Sequence, residues 1–103
     1  SRQFSAKGGA IIVHLISYDL NKPGQDYTPL IDAIKSLGSY NHCLKSGWFV
    51  DTSLTASQVY ARLRPHIDKS DSLLITLVTR HYFGQASRET IEWLKQHVGT
   101  PQE

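Results

Sequence analysis

The chain has 103 residues, 40% hydrophobic and 19% charged, with 11 Lys and Arg against 9 Asp and Glu for a net charge of +2. That length fits one domain and excludes two, and the composition excludes a disordered chain. The lone cysteine, Cys43, excludes an intrachain disulfide, and no apolar run approaches the ~18 residues of a membrane span.

Residues 1–9 are polar, patternless and end in a Gly pair, so they read as a disordered or expression-derived tail. The tail carries Arg2 and Lys7 and no acid, and without it cations and acids balance. Bulk charge therefore argues for no nucleic-acid partner, and any basic surface must be local. The absence of a signal-peptide pattern and the single cysteine predict a cytoplasmic location with no membrane contact.

Ala10 to Leu20 is rich in β-branched and aromatic residues and predicts a central first strand, stopped by Asn21-Lys22-Pro23-Gly24. Asp26 is the expected N-cap of a helix. Pro29 fits its first turn, and Tyr27, Leu30, Ile31, Ile34 and Leu37 form its apolar stripe. Gly38 is expected to end it. Ser39 to Lys45 and Trp48 to Asp51 predict a hairpin turning at Ser46-Gly47. Thr55 to Gln58 has the form of a capping box. It opens a second helix striped by Val59, Leu63 and Ile67, which should fray around Pro65. Leu73 to Thr79 predicts the last strand. Arg80 to Ala86 is irregular, and Ser87 caps a final helix striped by Ile91, Leu94 and Val98 and stopped at Gly99 and Pro101.

The expected organisation is α+β: a ferredoxin-like βαββαβ domain over residues 10–99, with an antiparallel sheet, an extra C-terminal helix and a short tail at 100–103. Two helices should share one sheet face and leave the other for a ligand, a nucleic acid or a second subunit. The fold alone assigns no function.

Asp19 is the first candidate site residue, because a carboxylate at a strand end is held rigidly yet faces solvent. A Mg²⁺ ion needs one or two such groups, with water or phosphate oxygens filling its shell. One Asp is too few for a tight site, whereas two copies related by a dimer axis would suffice. Asp is also a common turn former, and position alone leaves both readings open. Asp51 could approach Asp19 if their strands are neighbours, but reads first as a strand-end residue. Asp26 and Asp71 read as cap or turn residues, and Asp32 belongs on a solvated helix face.

The five histidines lack metal-ligand spacing, and His14 reads as a satisfied, partly buried ring. His42 and Cys43 are neighbours in a strand, so their side chains face opposite ways and cannot form a nucleophilic pair. Lys45 to Val50 faintly resembles the RNA-contact motif of RNA-recognition domains. However, Trp48 and Val50 share one face and Phe49 the other, so the required aromatic alternation fails. Arg62 and Arg64 form one local basic group. Arg80, His81 and Tyr82, followed by Phe83, form a second that combines cation and ring, suited to holding a phosphate and stacking a base.

Val13-His-Leu-Ile-Ser-Tyr-Asp-Leu-Asn-Lys-Pro-Gly-Gln-Asp-Tyr27 resembles the opening of the SinR-like proteins, relatives of the CRISPR-associated Cas-two (Cas2-like) family. Leu44 to Leu54 and Asp71 to Leu74 resemble their later segments. The resemblance implies a ferredoxin-like homodimer. In it Tyr18-Asp19 closes the first strand, and Asp19 of each subunit serves as Mg²⁺ ligand and catalytic residue in metal-dependent endonuclease cleavage of RNA or DNA. Ser17, Tyr18 and Asn21 would orient that carboxylate, and Arg80 or His81 would hold a substrate phosphate. Some relatives are structural subunits only. The alternative is therefore a non-catalytic nucleic-acid-binding or assembly subunit of a defence or toxin–antitoxin system.

Overall fold

The computed structural model describes residues 12–102; the expected tail and the first two residues of the expected first strand lie outside them. Along the chain run β1 (Ile12–Asp19), α1 (Thr28–Lys35), β2 (Ser39–Leu44), β3 (Gly47–Thr52), α2 (Ala56–Leu63), a 3₁₀ turn (Arg64–His66), β4 (Ser72–Leu77) and α3 (Arg88–His97). The strands form one sheet in the order β2-β3-β1-β4, with every neighbouring pair antiparallel. This is the ferredoxin-like α+β arrangement with an added C-terminal helix. None of the described helices is long and apolar enough to cross a membrane.

Register fixes the two faces. Ile16 lies opposite Trp48 and Ile75, and His14 opposite Val50 and Leu77. Even-numbered β1 residues therefore share a face with even-numbered β3 and odd-numbered β4 residues. On that face Ile16, Trp48 and Val50 meet Leu30, Ile34 and Leu37 from the α1 segment and Val59 and Leu63 from α2, forming the main core.

Local chemistry explains most element ends. Thr55 accepts from the Gln58 N–H and the Gln58 side chain accepts from the Thr55 N–H, completing the expected box. Ser87 accepts from the Thr90 N–H as the cap of α3. Pro65 converts the end of α2 into the 3₁₀ turn. Asp26 is not the α1 cap. That position is Tyr27, and Asp26 instead accepts from the Thr28 N–H at 3.0 Å just ahead of the helix. The hairpin turns one residue early, at Lys45-Ser46, so Gly47 already pairs with Leu44. The last strand is shifted toward Ser72 and ends at Leu77.

Gly38 follows α1 for a steric reason. Its φ is not positive, so it is no left-handed cap. A Cβ there would collide with the Asp51 carbonyl oxygen.

The second face departs from expectation, since α3 covers half of it. Thr90 of α3 donates to the Asn41 side chain at 2.8 Å, Trp93 stacks near Phe49, and His97 meets Asp51. Leu94 is buried there. These contacts lie over β2 and β3. The β1–β4 half carries Ser17, Asp19 and, on β4, Ser72 and Leu74, and α3 leaves it open.

Candidate functional site

Asp19 is the last residue of β1 and is exposed. Its cross-strand partner is Ser72, and Ser17 lies opposite Leu74. These four side chains belong to the uncovered half-face and, with Tyr18 and Leu73, line a shallow open hollow. The oxygen donors here, one carboxylate and two serine hydroxyls, are hard ligands suited in kind to Mg²⁺. One chain supplies only one charged ligand. Among the described residues no group of three or more His, Cys, Asp or Glu could hold a metal.

The backbone around Asp19 is well fixed. The Asn21 side chain donates to the Ser70 carbonyl at 3.0 Å and to the Asp19 carbonyl at 3.4 Å. The Asn21 N–H donates to Asp71 at 2.7 Å. Asp71 also accepts from the Tyr27 hydroxyl at 2.7 Å and from the Asp68 N–H at 2.8 Å. Burial pushes the Asp71 carboxyl up, but these hydrogen bonds outweigh it and hold the group below the ordinary carboxylate range. Burial and the neighbouring Asp71 push the Tyr27 phenol up. Asp68, bonded first to the Ser70 N–H and hydroxyl and then to Lys22 at 3.3 Å, is lowered to about 2. Asp71 is thus the hub that ties the β1–α1 loop to the start of β4, a larger role than a turn residue.

The expected orienting residues separate. Ser17 shares the face of Asp19 and Asn21 fixes its backbone. Tyr18 points to the helix face, where its hydroxyl accepts from Trp48 Nε1 at 3.0 Å, so it does not orient the Asp19 carboxylate. Asp51 does not approach Asp19 either. It pairs in register with Val13, at the far end of β1.

The basic candidates also lie elsewhere within one chain. Arg62 and Arg64 are exposed on α2 and the turn after it, on the helix side of the sheet. Arg80, His81 and Tyr82 follow the end of β4 that pairs with Val13, roughly 20 Å along the strands from Asp19. Arg80 Nε donates to the Thr100 carbonyl at 2.8 Å and the Tyr82 hydroxyl to the Gly99 carbonyl at 2.7 Å. Both side chains therefore anchor the chain after α3. His81 is exposed.

Two other groups complete the picture. Asp51 is buried, and its Oδ2 lies 2.6 Å from His97 Nδ1, with the His97 ring stacked on Trp93 at 4.0 Å. Sequence reading missed this pair, because its members stand 46 residues apart and meet only through register. His14 is more buried than expected, at 3% exposure. Its Nε2 lies 2.9 Å from the Leu54 carbonyl, while Nδ1 has no partner among the described residues. Cys43 faces away from His42, as strand parity requires. It lines a cavity of about 200 Å³ with Phe49, Phe83 and Leu94, and burial pushes its thiol up.

No family model matches the chain, and no curated protein matches it. Among solved structures it is similar to a hypothetical protein, TT1823, from Thermus thermophilus, with a TM-score of 0.56 and 19% identity over 76% of this chain and 96% of that one. At that identity the likeness shows the shared fold alone.

Proposed function

We propose that the chain acts as a Cas-two-like homodimeric, metal-dependent endonuclease on RNA or DNA, with Asp19 of each subunit facing the other across a two-fold axis. The observation that carries this reading is the placement of Asp19: exposed, at the end of a central strand, on the half-face that α3 leaves open. Packing two such half-faces together supplies the second carboxylate that one chain lacks. A bound Mg²⁺ supplies charge at the scissile phosphate and an acidified water. Asp19 would hold the ion, with Ser17 and Ser72 offering neutral oxygens beside it, and Asn21 with Asp71 keeps the strand end in place.

A second reading is a non-catalytic nucleic-acid-binding or assembly subunit of a defence or toxin–antitoxin system. It is favoured by the single carboxylate per chain and by the distance of Arg80 and His81 from it. The test is cleavage of labelled RNA and duplex DNA in Mg²⁺, Mn²⁺ or EDTA by the protein and by Asp19→Asn. Metal-dependent cutting that disappears in the variant supports the enzyme. Equal activity in both sinks the role of Asp19, and salt-dependent binding without cutting supports the second reading.

A further inference from the structure

The two edges of the sheet are unlike. On the β2 edge the register slips between Asn41 and Leu44, and Lys45 follows, so that edge is irregular and charged. Such features keep a strand from pairing with another chain. The β4 edge has none of them. Ser72–Leu77 holds no charge and no proline, and its register against β1 runs without a break. Leu74 and Leu77 are 64% and 62% exposed, one on each face.

The free hydrogen-bonding groups of β4 can be assigned. The Val78 N–H donates to the Val13 carbonyl at 2.9 Å, which fixes the alternation on this strand. Ser72, Leu74 and Thr76 therefore turn their backbone groups toward β1, while Leu73, Ile75 and Leu77 turn theirs outward. The Tyr18 N–H agrees with this parity, because it points away from β4, to the Ser46 carbonyl.

We infer that the β4 edge pairs with the β4 edge of a second copy of this chain, antiparallel, with Ile75 opposite Ile75 of the copy. In this register every outward group of Leu73, Ile75 and Leu77 finds a partner, giving about six backbone hydrogen bonds. Leu73 falls opposite Leu77 of the copy, so the helix face gains an unbroken apolar row across the junction. Leu74 falls opposite Thr76 on the other face. A one-residue slip would oppose outward groups to inward ones and apolar residues to the wrong face. The strand is thus complementary to itself in hydrogen bonding, side-chain row and lack of charge.

This contact goes beyond the proposed activity and is separate from it. It leaves the two Asp19 residues roughly 25 Å apart, three strand spacings across and six residues along, too far to share one ion. The face-to-face contact of the Asp19 reading is a different surface, so neither contact occupies the other.

The test uses the full chain, with mass by light scattering and amide exchange by NMR. Leu77→Lys adds charge at an exposed position, and Ile75→Pro removes the outward N–H at the axis, a change an edge strand tolerates. The expected results are slow exchange at the Leu73, Ile75 and Leu77 amides, a halved mass in both variants, and at least about tenfold faster exchange at Leu73 and Ile75 in Leu77→Lys. Unchanged protection at Leu15 and Ser17 shows that the variants fold. Fast exchange at the three amides in the unmodified protein, or wild-type mass in folded Leu77→Lys, overturns the contact. Asp19→Asn separates the two ideas, because the edge amides stay protected in it whether or not the protein cuts nucleic acid.

Discussion

Trp48 Nε1 donates a hydrogen bond to the Tyr18 hydroxyl at 3.0 Å, joining β3 to β1 on the helix face of the sheet. Asp19 follows Tyr18 directly and therefore lies on the other face. Two adjacent residues of one motif thus serve different sides of the molecule. Tyr18→Phe should destabilise the fold by about 1 kcal/mol in urea unfolding, because a buried indole N–H loses its acceptor. Trp48 fluorescence should shift, and the proposed Asp19-dependent cleavage should change by less than about twofold.

The Asp51–His97 contact clamps α3 to the sheet. His97→Phe keeps the stack on Trp93 but leaves the Asp51 carboxylate, 7% exposed, without this donor. The expected loss is about 1–3 kcal/mol in denaturant unfolding, for one buried hydrogen bond, together with faster amide exchange along α3. A variant as stable as the original would show that the Asp51–His97 contact does not help to hold α3.

Gly38→Ala should cost about 3 kcal/mol, as overpacking against a backbone atom allows little relaxation. The new methyl meets the Asp51 carbonyl, so β3 must shift. Thermal unfolding measures the loss. Ser36→Ala, an exposed neighbour just past α1, is the control and should change stability by less than about 1 kcal/mol.

Asp68 sets an acid response. Its carboxyl is lowered to about 2, by the Ser70 N–H and hydroxyl first and by Lys22 after them. The folded value lies below the unfolded one of roughly 3.9, so its contribution is fully present above that value and is lost as pH falls toward 2. An NMR titration should show the Ser70 amide moving with a midpoint near 2. Asp68→Asn should abolish that movement. A midpoint near 4 would contradict the hydrogen-bonded geometry.

Much of the fold was legible because periodicity is local. The Leu30–Ile34 stripe, the Thr55–Gln58 box, the Ser87 cap and the opposition of Trp48 to Phe49 each rest on residues within a few positions of one another. What escaped depends on register between distant segments. Nothing near Asp51 announces His97, and Gly38 reads as a helix stop until β3 is placed against it. Asp71 looks like a turn residue until Tyr27 and Asn21 arrive from the other end of the chain. The half-cover of the second face by α3 was hidden for the same reason. The stripe of α3 predicts that it packs, but not over which strands. Asp19 was legible as a strand end. Its separation from Arg80 was not, because it follows from the antiparallel pairing of β1 with β4.

That separation has a consequence for ligand length. Asp19 and the Val13–Val78 contact, just before Arg80 and His81, stand at opposite ends of the same strand pair, roughly 20 Å apart. On the proposed nucleic-acid reading, a stacked strand rising about 3.4 Å per nucleotide covers that span in about six steps, or about seven nucleotides. Shorter stacked oligonucleotides would reach one end only, so on that reading affinity should rise with length and then level off once the span is reached.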